Sequence, residues 1–314
     1  MDMKFPCIIR EQFRALGTDI VFQVVALDEV QQKNAIENIA QAKEMYVDFT
    51  NTFSRFIFES ELSKLNLAVG DWNFASDVMR EVASLSLEYN KKTEGLFDPR
   101  ILGVLENIGY ADDFEMGTRK LGKNIQNQTL LSNKKLNEDL KIKDDKVFFG
   151  VKMDFSGIVK GYVTDKVVNF FDSKGWENFL IDSGGDIFMR GNDEDGKLWT
   201  VDVEGISAEK IMFALSNMAI ATSGIGKRRW EIDGKMMHHI INPKNANQFL
   251  FDIKSFSVIA DSTTEADVWA KSLFLMGKKN GIIYARENNV AAVFLDCRGS
   301  AWISPEAKKY LHNL

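Results

Sequence analysis

Cysteine, histidine and proline are scarce in this 314-residue chain, at 2, 3 and 4 residues respectively. Cys7 and Cys297 lie at opposite ends, show no metal-ligand spacing, and are too few for a disulfide framework. They read as two unpaired thiols. His238, His239 and His312 cannot supply a polyhistidine metal centre, and no nucleophile–His–Asp arrangement follows from their spacing. So few prolines, with a moderate 22 glycines, argue against a long disordered linker. Surplus positive charge is missing as well. A net charge of −6 excludes a general nucleic-acid or anionic-membrane binder, which needs cations to displace counterions, while leaving room for a local basic patch. No apolar run reaches the roughly 18 to 20 residues of a membrane span, and Pro6, Arg10 and Glu11 interrupt the N-terminal segment. The expectation is a cytoplasmic chain without signal peptide or lipobox; a leader-less form of an exported protein would read the same.

What is present is a globular composition, 45% hydrophobic and 27% charged, over a length that suits one large domain or two lobes sharing a cleft. Gly17–Leu27 reads as a strand and Asp28–Phe49 as a helix, with Ala35, Ile39, Ala42 and Met45 at helical spacing. A helical turn follows at Ser60–Asn66, then helices at Asp77–Lys92 and Ile101–Asn107. Residues 121–151 alternate like edge strands and turns, and Gly157–Phe171 carries one apolar helix face. Further strands are expected at Phe179–Asp182, Trp199–Glu204, Met218–Ala221, Ser255–Ala260 and Val290–Leu295, the last of the chain. Trp230–Ile241 predicts a hairpin around Asp233-Gly234, and Thr264–Met276 a helix started by Ser262 and Thr263. Strands and helices do not alternate one for one, which favours α+β over a doubly wound parallel sheet.

Four glycine-bearing turns could let backbone approach a ligand: Gly95–Asp98, Asp154–Gly161, Asp182–Asp186 and Thr222–Gly226. None matches a Walker or dinucleotide-binding pattern. The second places a glycine at a helix start beside Lys160, where free N–H groups, the helix dipole and a cation favour phosphate. His238 and His239 are adjacent and on a strand face opposite ways. Asp267 and Lys271, four apart on one helix, form either a simple ion pair or a surface that presents Asp267 to a divalent cation. Phe56 and Phe97 sit beside polar turns, as core residues or as walls for a planar ligand.

Taken in order, these segments resemble the ApbE-type FAD:protein FMN transferases. Six blocks carry the resemblance: Leu16-Gly-Thr18; Phe53–Asn66; Thr93-Glu-Gly-Leu-Phe-Asp-Pro99; Asp154-Phe-Ser-Gly-Ile-Val-Lys-Gly161; Asp182-Ser-Gly-Gly-Asp186; and His239-Ile-Ile-Asn-Pro243 with Ser257-Val-Ile-Ala260 and Glu265-Ala-Asp267. The resemblance implies a single α+β, T-fold-like domain over 1–314, two-lobed with mixed sheets and an FAD cleft between the lobes. It assigns Leu16, Phe56, Leu96, Phe97, Asp98, Asp154, Lys160 and Ile241 to FAD. It assigns Mg²⁺ to the Gly157 carbonyl, the Asp267 carboxylate and a hydroxyl four residues later. The implied catalytic groups are Lys160, Asp267 and His239, the last as acceptor or relay of a hydroxyl proton. The implied reaction moves FMN from FAD to a Thr or Ser hydroxyl of an acceptor protein carrying a D-x-x-[ST]-G-A-[ST] segment, with AMP leaving. An FAD carrier without transfer, or an FAD pyrophosphatase yielding FMN and AMP, are the alternatives.

The chain departs from the family pattern at the third metal position. Lys271 stands where the family has threonine, and a protonated amine has donors but no acceptor. Either Mg²⁺ binds without that residue, or the Lys271 ammonium takes the cation's place. Asn242 also replaces the aspartate of H-I-x-D-P, and Asn245-Ala246 the usual T-G.

Overall fold

The computed structural model describes residues 5–110, 134–203, 211–226, 229–232 and 234–312. From the N-terminus come β1 (Cys7–Ala15), β2 (Thr18–Ala26), α1 (Glu29–Phe53), α2 (Glu61–Leu67), β3 (Trp72–Phe74) and α3 (Asp77–Lys92). A 3-10 turn at Pro99–Ile101 enters α4 (Leu102–Asn107), and α5 (Leu136–Asp139), β4 (Leu140–Lys143), β5 (Lys146–Phe149) and α6 (Ser156–Ser173) follow. Next are β6 (Phe179–Ser183), β7 (Ile187–Arg190), β8 (Trp199–Asp202), β9 (Met212–Leu215) and β10 (Met218–Gly224). The chain continues through β11 (Arg229–Ile232), β12 (Lys235–His238), β13 (Ile253–Ala260), α7 (Thr263–Glu287), β14 (Ala291–Asp296), β15 (Ala301–Ile303) and α8 (Pro305–Lys308).

The α+β class holds. Eight strands form one sheet in the order β1-β2-β6-β7-β10-β13-β14-β15. The expectation of mixed sheets is sharpened, since every described pairing is antiparallel. The tight turns between β1 and β2 and between β6 and β7 impose that direction. Helices α1, α6 and α7 pack on one face around Ile20, Phe22, Tyr46, Phe171 and Phe179, all buried. The other face carries Leu180, Met189, Ile220 and Val293, covered by Trp199, Phe213 and Leu215 of the β8–β9 hairpin and Ala307 of α8. Among the described residues no helix is long and apolar enough to cross a membrane.

Several expectations need correction. Residues 7–15 form an unexpected strand; its charged residues obscured it because β1 is the sheet's edge, where alternate side chains face solvent. Thr222–Gly224 is not a turn but the end of β10, with Thr222 Oγ1 hydrogen-bonded to Ser257 Oγ at 2.8 Å. Val290–Leu295 is not the last element, because β15 and α8 follow. Helix α7 runs beyond Met276 by kinking at Gly277, whose φ of 81° suits a residue without Cβ. The expected edge strands of 121–151 appear as β4 and β5, while 121–133 lies outside the described residues, as do Glu204 and Asp233.

The junction of α6 with α7 positions the candidate site. A Cβ on Gly161 would come within 2.6 Å of Thr264 Cα and 2.7 Å of the Thr263 carbonyl oxygen, so only glycine permits this crossing. One turn on, the Asp165 carboxylate accepts the backbone N–H groups of Thr263 at 2.7 Å and Thr264 at 2.9 Å. Asp165 thereby caps α7 from a neighbouring helix, together with α7's own N-cap Ser262.

Candidate active site

The first half of the site is a cluster of alternating charges. The β6–β7 turn places Gly184 and Gly185 at φ 70° and 97°, and a Cβ on Gly184 would lie 2.0 Å from Thr18 Oγ1. Asp182 Oδ1 accepts the Gly185 N–H at 2.7 Å. Ser183 Oγ is hydrogen-bonded at 2.6 Å to both Tyr46 OH and Thr164 Oγ1 inside the core. Burial pushes the Tyr46 phenol up to about 12, so it stays protonated within this network. The turn so anchored holds Asp186, 1% exposed, against the Lys160 ammonium on α6.

Across the helix, Lys271 Nζ donates to the Gly157 carbonyl at 2.7 Å and to Asp267 Oδ1 at 3.4 Å. Asp186 Oδ1 and Asp267 Oδ2 are buried without a hydrogen-bond partner. Burial, then the neighbouring Asp267 carboxylate, pushes the Asp186 carboxyl up to about 7 against the opposing pull of Lys160 and Lys271. Lys160, Asp186, Asp267, Gly157 and Lys271 are thus brought together.

The second half is an aromatic wall that sequence reasoning largely missed. Arg55 and Asp154 form a buried ion pair, Nε to Oδ2 at 3.1 Å. The Arg55 guanidinium lies 4.2 Å from the Phe56 ring centroid and 4.7 Å from that of Tyr110. Tyr110 stacks on Trp230 at 5.4 Å, and Trp230 Nε1 donates to the Ile108 carbonyl at 2.8 Å. Ile241 is buried in the same cluster as Trp230. Phe56 itself is 42% exposed. Asp154 joins the two halves, lying one helix entry away from Gly157 and accepting the Ser156 N–H at 2.7 Å.

The other expected residues make contacts of their own. Phe97 is buried, close enough to Gly157 that a Cβ there would lie 3.4 Å from the ring. Leu96 is buried with Ile225 and Ile240. The Asp98 carboxylate is engaged by Arg100, at 3.0 Å from Nε and 2.7 Å from a terminal nitrogen. Leu16 holds φ 50° in the β1–β2 turn, a strained value for leucine, with its N–H donated to Thr50 Oγ1 at 3.2 Å. Asn242 forms a side-chain turn, accepting the Lys244 N–H at 2.9 Å.

The two histidines separate as their alternation predicts: His239 is half-buried just beyond β12, whereas His238 is 1% exposed among Phe249, Phe251 and Phe274. His238 Nε2 accepts the Leu250 N–H at 3.2 Å, and burial lowers its pKa from 6.5 to about 4. The sign follows directly. Stability carried by the neutral imidazole is complete above about pH 6.5 and lost as pH falls toward 4, because the unfolded chain is protonated first. The whole effect amounts to about 3 kcal/mol. In urea unfolding, His238→Gln is expected to lose about 2 kcal/mol less than the unaltered chain between about pH 7 and 4.5. Equal losses in both would show that His238 does not govern acid stability.

The Mg²⁺ assignment can be tested against these residues. The Gly157 carbonyl and the Asp267 carboxylate are oxygen ligands of the right kind, but both already accept from the Lys271 ammonium. This arrangement does not fit a divalent ion.

Comparison with known proteins bears on the fold and the family. Two relatives named FAD:protein FMN transferase are similar to this chain. That of Buchnera aphidicola subsp. Schizaphis graminum is 27% identical over 243 residues, covering 74% of this chain and 72% of the relative. That of Klebsiella pneumoniae strain 342 is 26% identical over 317 residues, covering 95% and 88%. The apo flavinyl transferase ApbE of Pseudomonas stutzeri has the same fold, with a TM-score of 0.84 at 19% identity over 100% of both chains. The ApbE protein of Thermotoga maritima superposes with a TM-score of 0.83 at 22% identity, over 98% of this chain and 100% of that one. A sequence model described as the ApbE family matches residues 16–294, and the chain belongs to that family.

Proposed function

We propose that this protein transfers FMN from FAD to a Thr or Ser hydroxyl of an acceptor protein, releasing AMP. The observation that carries this reading is the pair of ammonium groups, Lys160 and Lys271, at the α6–α7 junction beside the aromatic wall around Phe56. A dinucleotide with a planar ring system and a diphosphate needs such a combination. Relatives named FAD:protein FMN transferase support the choice of FAD.

In this reading the rings lie along Phe56, with Ile241 and Leu16 nearby, and the diphosphate faces Lys160 and the start of α6. The acceptor hydroxyl attacks the phosphorus on the FMN side. A new P–O bond forms, the bond to the bridging oxygen breaks, and AMP departs with the electron pair. Lys160 offsets the charge that builds on the diphosphate, and half-buried His239 takes the hydroxyl proton. The chemistry in this reading belongs to these side chains.

The test is incubation with FAD and an acceptor carrying a D-x-x-[ST]-G-A-[ST] segment, followed by denaturing electrophoresis. A covalently fluorescent acceptor band is the expected result. FMN and AMP with no labelled acceptor would make the protein a pyrophosphatase, and intact bound FAD would make it a carrier.

A further inference from the structure

The Lys271 ammonium is held by groups that a bound cation would otherwise occupy. It reaches from α7 to the first turn of α6, 2.7 Å from the Gly157 carbonyl oxygen and 3.4 Å from Asp267 Oδ1. A Cβ at position 157 would sit 2.9 Å from Nζ, so the end of the lysine would have to shift to make room for it. Asp267 is almost wholly buried, with a side chain 4% exposed, whereas that of Lys271 is 20% exposed. An ammonium has three N–H donors and no acceptor. Two lie within reach of these oxygens, and the side chain is one-fifth exposed.

The charges of the cluster close on themselves. Lys160 and Lys271 balance Asp186 and Asp267 without any further ion. A dication coordinated by the Gly157 carbonyl and Asp267 would have to share both oxygens with an ammonium already within hydrogen-bonding distance. Like charges that close repel strongly, the more so where burial removes water. The Lys271 ammonium already holds both oxygens.

We propose that Lys271 is the resident cation of this site, and that the protein binds the diphosphate of FAD without a divalent metal. The proposal rests on the FAD reading above. Lys271 would supply one positive charge and one hydrogen bond to a phosphate oxygen. It would not exchange with the surroundings, so neither affinity nor turnover would follow the free Mg²⁺ concentration.

Flavin fluorescence and Mn²⁺ electron paramagnetic resonance, applied to the same full-length protein, test this directly. The unaltered chain is expected to bind FAD with a Kd that changes less than about twofold between EDTA and excess Mg²⁺. Without FAD it should leave added Mn²⁺ in the free-ion spectrum. Lys271→Thr, which restores an oxygen donor, should weaken FAD binding by about tenfold or more in EDTA and regain it with Mg²⁺. Lys271→Met should show the same loss without recovery, which separates charge replacement from local packing.

Mn²⁺ capture by the unaltered apoprotein, or a tenfold gain in its FAD affinity on adding Mg²⁺, would overturn the proposal. Absence of FAD binding in either buffer would defeat the FAD reading instead, while the Mn²⁺ measurement would still decide the cation. That measurement needs no variant, so it stands even if a Lys271 substitution fails to fold.

Discussion

Replacing Lys160 with methionine is expected to lower FMN transfer by roughly 100- to 1000-fold while leaving the fold nearly as stable as before. Lys160 lies on the second turn of α6, with its ammonium against Asp186 and part of its side chain exposed. In the proposed reaction, removing that charge takes away a group placed where negative charge would build as AMP leaves. Ground-state binding should suffer less, by about tenfold, because in the proposed complex Lys271 and the helix start would still face the diphosphate. The fold is spared for a reason specific to this cluster. Asp186 is buried, but its carboxyl already sits at about 7, so it takes up a proton when its cation is lost. The effect should therefore fall on kcat far more than on the Kd for FAD or on Tm. Lys160→Arg, which keeps the charge but not its point-like shape, should recover part of the rate. A Lys160→Met enzyme within threefold of the unaltered rate would remove Lys160 from the chemistry.

The parts of this site that were legible in the sequence are those whose geometry is local. Asp267 and Lys271 share a helix face at four-residue spacing, and their pairing follows from helix pitch. The start of α6 is marked by Gly157 and Lys160 within one short block, and the β6–β7 turn by two consecutive glycines. Helix α3 keeps its expected ends because apolar residues recur along one face, and the fold adds Ser76 as its N-cap. The Arg55–Phe56–Tyr110–Trp230 stack had no such signal. Its members come from three distant segments, brought together only by tertiary packing. Asp186 lay in a recognised block but received no role, because its importance comes from Lys160 on another element and from Asp267 nearby. The second partner of Lys271, the Gly157 carbonyl 114 positions away, leaves no trace in side-chain spacing and was grouped with it only by the family resemblance. What the sequence did supply was the incompatibility itself, a residue without lone pairs at a position expected to hold a ligand.

The largest loss of stability is expected at Arg100. This guanidinium is buried between two buried carboxylates, 2.7 Å from Asp98 Oδ2 and 2.8 Å from Asp139 Oδ2, and also donates to the Lys134 carbonyl at 2.8 Å. The three side chains are 7%, 4% and 2% exposed. Arg100→Leu fills much of the space but leaves both carboxylates in the interior without their cation, at a cost of about 3–5 kcal/mol. For a chain of this size that corresponds to a fall in Tm of about 10 °C. Replacing all three together, with Asp98→Asn and Asp139→Asn added, should recover most of the loss, because the penalty lies in orphaned charge rather than in a missing attraction. The damage should also spread to the cleft. Asp98 caps the 3-10 turn through the Arg100 N–H at 2.9 Å, and the carbonyl of the next residue, Pro99, accepts the Asp154 N–H at 2.7 Å. Loosening that segment moves Phe97 and Asp154 together, so FAD should bind more weakly at temperatures where the variant is still folded. This pattern is the reverse of the one expected for Lys160→Met, with stability lost first and turnover per bound FAD largely kept. An Arg100→Leu protein that melts within 2 °C of the unaltered chain would show that the buried triad contributes little.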